Sequence, residues 1–113
     1  MISHAKLRYL RSSPQKARLV VDQIRGKDVG DAMALLRASK KKVSRSVEKL
    51  VGSAVANAQQ GEEPVDIDRL FVARVWVDQA PTERRGRPGP MGRFMPLVRR
   101  RSHITVELDL KGN

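Results

Sequence analysis

Two stretches decide the fold: Leu70-Phe71-Val72-Ala73-Arg74-Val75-Trp76-Val77 and Ile104-Thr105-Val106-Glu107-Leu108-Asp109-Leu110. Both are rich in β-branched and aromatic residues, and both alternate as half-buried strands do. In the first, strict alternation puts Phe71, Ala73, Val75 and Val77 on one face and Leu70, Val72, Arg74, Trp76 and Asp78 on the other. The second is cleaner, with Ile104, Val106, Leu108 and Leu110 opposite His103, Thr105, Glu107 and Asp109. An antiparallel pair with one apolar face needs a layer to cover it.

The residues upstream supply that layer. From His4 to Leu10 the pattern alternates, Ala5, Leu7 and Tyr9 against Lys6, Arg8 and Leu10, which predicts a short strand with a basic face. Ser13-Pro14 is a helix start: a serine that can cap, then a proline whose missing N–H costs nothing at the first helical position. Ala17, Val20, Val21 and Ile24 follow at helical spacing, and Gly26 suits a left-handed ending. A second helix is expected from Asp28, with the Asp28 carboxylate as cap and Ala32, Leu35 and Leu36 as its apolar face. In the third, Val43, Val47, Leu50, Val51, Ala54, Val55 and Ala58 form one continuous stripe, ending near Gly61. The order β-α-α-α-β-β predicts an α+β fold: three helices packed on a small antiparallel three-stranded sheet.

Between the two hairpin strands lies a long interruption. From Pro81 to Arg101 there are seven arginines (Arg84, Arg85, Arg87, Arg93, Arg99, Arg100, Arg101), one acid, Glu83, and no lysine. Three glycines and four prolines punctuate the stretch. Extended chain rises about 3.3 Å per residue, so an arm from Val77 to a tip near Gly89–Gly92 has a reach of about 40–50 Å. A disordered basic loop, a solvated loop without a partner and a nucleic-acid-contacting arm are the competing readings. Self-repulsion of this size without a counter-charge favours the third, and arginine's planar fork suits phosphate and bases. The whole chain of 113 residues is expected to be one domain, with a body of residues 1–79 and 102–113 and an arm of residues 80–101.

Composition points the same way. The formal charge is +11, and apolar residues make up 40%, enough for one small core. Only Tyr9, Phe71, Trp76 and Phe94 are aromatic, so that core must be aliphatic. Lys40, Lys41 and Lys42 crowd the start of the third helix, the end that disfavours cations, which hints at an external anion as much as at a solvated helix start. Lys6, Arg8, Arg11, Lys16 and Arg18 mark the first strand and helix. Ser53 and Asn57, one turn apart on the third helix, suit either close approach to an RNA backbone or a solvent edge. No apolar run approaches the roughly 18 residues of a membrane span, and Met1-Ile2-Ser3-His4 lacks an apolar signal region. Cysteine is absent, so no disulfide or thiolate zinc site is available and cytoplasm is the plain reading.

An enzyme is not expected. His4 and His103 lack metal-ligand spacing, Asp66, Asp68 and Asp78 form no catalytic constellation, and neither a Walker A loop nor a dinucleotide fingerprint occurs. No metal or cofactor is implied. His103 reads as a polar strand residue near RNA.

Four blocks in order resemble the large-subunit ribosomal protein twenty-two family of bacteria. They are Arg11-Ser12-Ser13-Pro14-Gln15-Lys16-Ala17-Arg18-Leu19-Val20-Val21-Asp22 with Ile24-Arg25-Gly26-Lys27; Ser53-Ala54-Val55-Ala56-Asn57-Ala58; Asp68-Arg69-Leu70-Phe71-Val72 with Val75-Trp76-Val77-Asp78 and Pro81; and Arg99-Arg100-Arg101-Ser102-His103-Ile104-Thr105-Val106. The resemblance implies a non-catalytic constituent of the cytoplasmic ribosome that binds ribosomal RNA and supports subunit assembly. It also implies a hairpin lining the nascent-peptide exit tunnel, beside neighbouring ribosomal proteins and the nascent peptide, with no membrane partner and no homo-oligomer. By position, Arg84, Arg85, Arg87, Arg93, Arg99 and Arg100 match basic hairpin positions, and Lys16 and Arg18 match the N-terminal block. The full RNA-binding set expected is these residues with Arg11, Ser13, Lys40, Lys41, Lys42, Arg101 and His103. The tunnel-lining tip would be Pro88, Gly89, Pro90, Met91, Gly92, Arg93 and Phe94, where this chain departs from the family's denser arginine run. The rival is a DNA-architectural protein using a proline-tipped basic β-arm.

Overall fold

The computed structural model describes residues 2–61, 65–81, 83–88 and 94–111, with the backbone alone for 83–88 and 94–99. The chain runs β1 (Ser3–Leu10), α1 (Pro14–Ile24), α2 (Val29–Ala38), α3 (Lys42–Gln59), a 3-10 turn (Ile67–Arg69), β2 (Leu70–Gln79), β3 (Glu83–Pro88), β4 (Phe94–Arg99) and β5 (Ser102–Leu110). The body sheet has the order β1-β5-β2, antiparallel throughout, so the last strand lies in the middle. Three helices on this three-stranded sheet make the α+β fold expected.

Helix boundaries follow local chemistry. The Ser13 side chain accepts the Lys16 N–H, Pro14 opens α1, and Gly26 sits at φ +77° just past its end. Asp28 precedes α2, but its carboxylate makes no cap; it pairs with Lys111 Nζ at 2.6 Å instead. Where α2 ends, Arg45 of α3 reaches back and donates to the carbonyls of Leu36, Arg37 and Ser39 at 3.0, 2.9 and 2.6 Å. A cation there satisfies orphan carbonyls and complements the negative helix end. Glu48 then holds both Arg37 and Arg45. Leu35, expected in the core, is 40% exposed, because the short α2 turns only Val29, Ala32 and Leu36 inward.

The core is aliphatic. Ala17, Val20, Val21 and Ile24 of α1, Val47, Leu50, Val51, Ala54 and Ala58 of α3, and Ile104, Val106 and Leu108 of β5 are all buried. Each such valine, leucine or isoleucine contributes about 1.5–3 kcal/mol of transfer free energy. Neither Tyr9 nor Trp76 belongs to this core.

Two β-bulges overturn the simple alternation. In β2, Val72 pairs with Leu108 and Arg74 with Glu107, so Ala73 is an extra residue. The register flips there: Leu70 and Val72 share the buried face with Val75 and Val77, and Phe71 leaves it. In β1, Leu7 pairs with Ile104 and Leu10 with Ser102, so Arg8 and Tyr9 together face the single residue His103. Leu7 and Leu10 therefore both pack on the core, and Tyr9 is turned outward.

Both outer edges of the sheet receive hydrogen bonds, the β2 edge along most of its length. The loop after α1 pairs with β2, through Gly26 N–H to Val72 O and Val72 N–H to Lys27 O, each 2.9 Å. Arg25 and Arg18 donate to the Val75 and Val77 carbonyls at 2.8 and 3.2 Å. On the far edge, Asn57 Nδ2 donates to the His4 carbonyl at 3.0 Å. Occupied edges remove the template for strand addition.

Beyond the body, β3 and β4 form a separate two-stranded ladder from Glu83↔Arg99 to Pro88↔Phe94. Pro88 and Pro96 are tolerated because each strand of a two-stranded ribbon has an open edge. Gln79 pairs with Ser102 at the end of one ladder and Glu83 with Arg99 at the start of the other, and between them the Ala80 N–H donates to the Arg101 carbonyl at 3.0 Å. The molecule measures 67 × 28 × 17 Å with a radius of gyration of 17.4 Å. A compact chain of this length would have about 13 Å.

Replacing Gly86 to Pro96 with an Asn-Gly turn, which fits between the paired Arg85 and Leu97, should leave one cooperative melting transition, within about 5 °C of the parent. Loss of cooperativity in calorimetry would show that the ribbon is part of the folding unit. Leu108→Ala, at the centre of the sheet, should cost about 2–5 kcal/mol in denaturant titration.

Candidate nucleic-acid interface

The end of β1, the start of α1, the start of α3 and the residues entering β5 converge on one groove of about 880 Å³. Its cations are Arg8, Arg11, Lys16, Lys42, Arg100 and Arg101, and among the described residues no carboxylate lines it. Leu7, Tyr9, Leu10 and Val43 supply apolar surface, and Ser12, Ser13 and Ser46 supply hydroxyls. Ser102 Oγ donates to the Ser12 carbonyl at 2.6 Å in a buried position, which ties the turn before α1 to the base of β5.

Two helix N-termini face this region. That of α1 carries Ser13 and Lys16. That of α3 begins at Lys42 with Lys41 before it, no side-chain cap bond and no acid in its first turn. A helix start already has a partial positive charge and free N–H groups. Adding lysines rather than a capping acid makes the place receptive to an external anion.

The basic surface continues along the seam of β1 and α3. A neighbouring hollow of about 220 Å³ shares Leu7 and Ser46 with the groove and adds Lys6, Lys49 and Ser53, again without a carboxylate. Acidic side chains gather elsewhere: Asp28, Asp31 and Asp68 line a hollow between α2, α3 and the 3-10 turn. Among the described residues, the lining of these two hollows is thus basic and hydroxylic.

Arg11, Ser13, Lys16, Lys42, Arg100 and Arg101, scattered in sequence, meet in the groove. Lys40 and Lys41 are exposed in the turn leading to α3 but do not line it. Arg18 lies elsewhere, on the β2 edge, with one guanidinium nitrogen on the Val77 carbonyl. Asn57 is likewise committed to the His4 carbonyl, while Ser53 Oγ donates to Lys49 O within α3. His103 accepts the Tyr9 N–H at Nδ1 and does not itself line the groove. The side chains of Arg84, Arg85, Arg87, Pro88, Phe94 and Arg99, and all of Gly89, Pro90, Met91, Gly92 and Arg93, lie outside the described residues. Sequence reasoning missed Tyr9 as a groove residue, because alternation placed it with Ala5 and Leu7. It also left Lys49 out.

Among the described residues, no group of three or more His, Asp or Glu is placed to hold a metal ion, and no helix is long and apolar enough to cross a membrane. Nothing in the groove resembles an acid–base pair. Its chemistry is that of multiple weak contacts to a polyanion.

The family model described as ribosomal protein L22p/L17e matches residues 5–109. A protein of Solibacter usitatus named "Large ribosomal subunit protein uL22" is 48% identical over 107 residues, covering 95% of each chain. A protein of the same name from Syntrophotalea carbinolica is 50% identical over 111 residues, covering 98% of this chain and 100% of its own. A third, from an Anaeromyxobacter species, is 47% identical over 105 residues, covering 93% of this chain and 72% of its own.

Replacing Arg8, Arg11 and Lys42 together with glutamine should weaken binding to ribosomal RNA and make the log–log salt dependence shallower by about 2–3. All three side chains are exposed, so the melting temperature should hold. An unchanged slope would remove the groove from the interface.

Proposed function

This chain belongs to the ribosomal protein L22p/L17e family, and on that premise we propose that its basic track and its hairpin serve different parts of one architectural task. The protein is a structural, non-enzymatic constituent of the large ribosomal subunit in the cytoplasm. It binds ribosomal RNA and sits among other ribosomal proteins. The rival reading, a DNA-architectural protein, finds no support in the family or the relatives.

The observation that carries the proposal is the acid-free groove where Arg11, Lys16, Lys42, Arg100 and Arg101 converge on two helix starts. In the proposed mechanism, the body seats on RNA through this track and brings together segments that approach β1, α3 and the root of the arm. Each phosphate that docks releases condensed counterions, so affinity is strong at low salt and steeply salt-dependent. With roughly six to eight phosphates neutralised, binding falls by about 10³- to 10⁴-fold between 50 and 200 mM salt.

The arm, residues 80–101, is proposed as a separable element that lines the peptide exit tunnel and meets the nascent chain at its tip. Two features support this reading. The ladder of β3 and β4 is distinct from the body sheet, and seven arginines against one acid give the segment a charge that RNA walls would neutralise. Arg84, Arg85, Arg87, Arg93 and Arg99 then act as phosphate ligands along the ribbon, with Pro88 to Phe94 exposed to the passing peptide. Holding RNA segments in place during subunit assembly follows from the same interactions.

The test is incorporation. The protein should co-sediment with large ribosomal subunits and resist a moderate-salt wash. Changing Arg99, Arg100 and Arg101 to glutamine should weaken association with deproteinised large-subunit RNA and flatten its salt slope, by about 0.7–0.9 for each phosphate no longer neutralised. Unchanged affinity and slope would refute the phosphate role of that triplet.

A further inference from the structure

Tyr9 is a half-exposed aromatic residue held rigidly at the edge of the groove. At the bulge of β1, Arg8 and Tyr9 occupy the space opposite one residue, His103. Tyr9 takes φ +58°, the one positive value at a non-glycine residue among those described. A bulky side chain rarely adopts the left-handed region; glycine or asparagine would do so with less strain. Such strain persists only where neighbouring interactions over-determine it, and it concentrates at functional positions.

Those interactions come from His103. The Tyr9 N–H donates to His103 Nδ1 at 3.0 Å, and the two rings meet edge to face, with centroids 4.7 Å apart and planes at 85°. The bond to Nδ1 leaves the imidazole proton on Nε2. His103 therefore fixes both the backbone and the ring of Tyr9. The ring adds little to the core, since Leu7 and Leu10 on either side pack there while Tyr9 remains 54% exposed. It stands in the groove as its aromatic wall, beside six cations and, among the described residues, no carboxylate.

A rigid aromatic face next to a row of phosphate-binding cations has one chemical complement: an unpaired base whose backbone runs along the cations. We propose that Tyr9 is a stacking platform for an unpaired base of ribosomal RNA, with the flanking phosphates held by Arg8, Arg11 and Lys42. This inference rests on the RNA-binding reading above. The bulge and His103 present the ring ready-made, so little side-chain freedom is lost on binding.

The test uses the full chain and deproteinised large-subunit ribosomal RNA, with wild type, Tyr9→Phe and Tyr9→Asn titrated at several salt concentrations. Tyr9→Asn should bind about 5- to 150-fold more weakly while Tyr9→Phe stays within about twofold of wild type. The salt slope should be the same for all three, since stacking releases no counterions. Asparagine tolerates the left-handed backbone, so the melting temperature of that variant should not fall. A second readout needs no variant: Tyr9 is the only tyrosine in the chain, and bound RNA should protect it from nitration by tetranitromethane. Wild-type affinity in Tyr9→Asn, an equal loss in Tyr9→Phe, a flattened slope in Tyr9→Asn, or a ring that nitrates equally in the complex would each overturn the stacking role. If wild type itself fails to bind the RNA, the RNA-binding reading falls first.

Discussion

Strand β5 is hydrogen-bonded on both sides, to β1 along one edge and to β2 along the other, and the body depends on that double engagement. Its inward residues Ile104, Val106 and Leu108 lie at the centre of the aliphatic core. The strand is also the returning limb of the arm. The chain must therefore complete the excursion through β3 and β4 before its central strand exists. Local helices can form early, but the sheet closes only when the last strand slots between the first and second, a topology dominated by long-range pairing.

The same strand couples body to interface. Arg100 and Arg101 enter the groove immediately before β5, and the buried Ser102–Ser12 hydrogen bond fixes the turn that carries Arg11 and Ser13. The cations are thus positioned by core packing rather than by each other, which like charges require. A small core surrounded by a formal charge of +11 is opposed by self-repulsion. The internal ion pairs meet it only locally: Glu48 gathers Arg37 and Arg45, and Asp22 holds Arg25. These exposed pairs each contribute little. In the proposed reading, the cations along the β1–α3 seam find their counter-charge in RNA.

Arginine has two uses here. Arg18 and Arg25 donate to the outer carbonyls of β2, and Arg45 closes the end of α2. By sequence, Arg18 is indistinguishable from Arg11 or Lys16. The difference arises because α1 packs over the β2 edge and carries Arg18 to an unpaired carbonyl, while its first turn opens into the groove. Residue type therefore identified the class of ligand, and element packing sorted structural from exposed cations.

Much was legible from the chain alone. Ser13-Pro14 and Gly26 marked the limits of α1, the stripe from Val43 to Ala58 marked α3, and the alternation of Ile104 to Leu110 marked β5, because these signals arise from local backbone and periodic preferences. The family blocks and the charge were legible in the same way. The two bulges were not: a period of two has no place for an extra residue, and where the ladder admits one at Ala73 or at Arg8–Tyr9 depends on the strand opposite. The bulge in β2 reversed the faces of Leu70 to Val72, and the one in β1 moved Tyr9 from the core side to the groove. The groove itself joins Arg11 to Arg100 and Arg101 from the other end of the chain. Local propensity and composition thus determined the elements and the class of partner; only tertiary pairing, through register and element packing, decided which side chains line the groove, because pairing partners lie far apart in the chain.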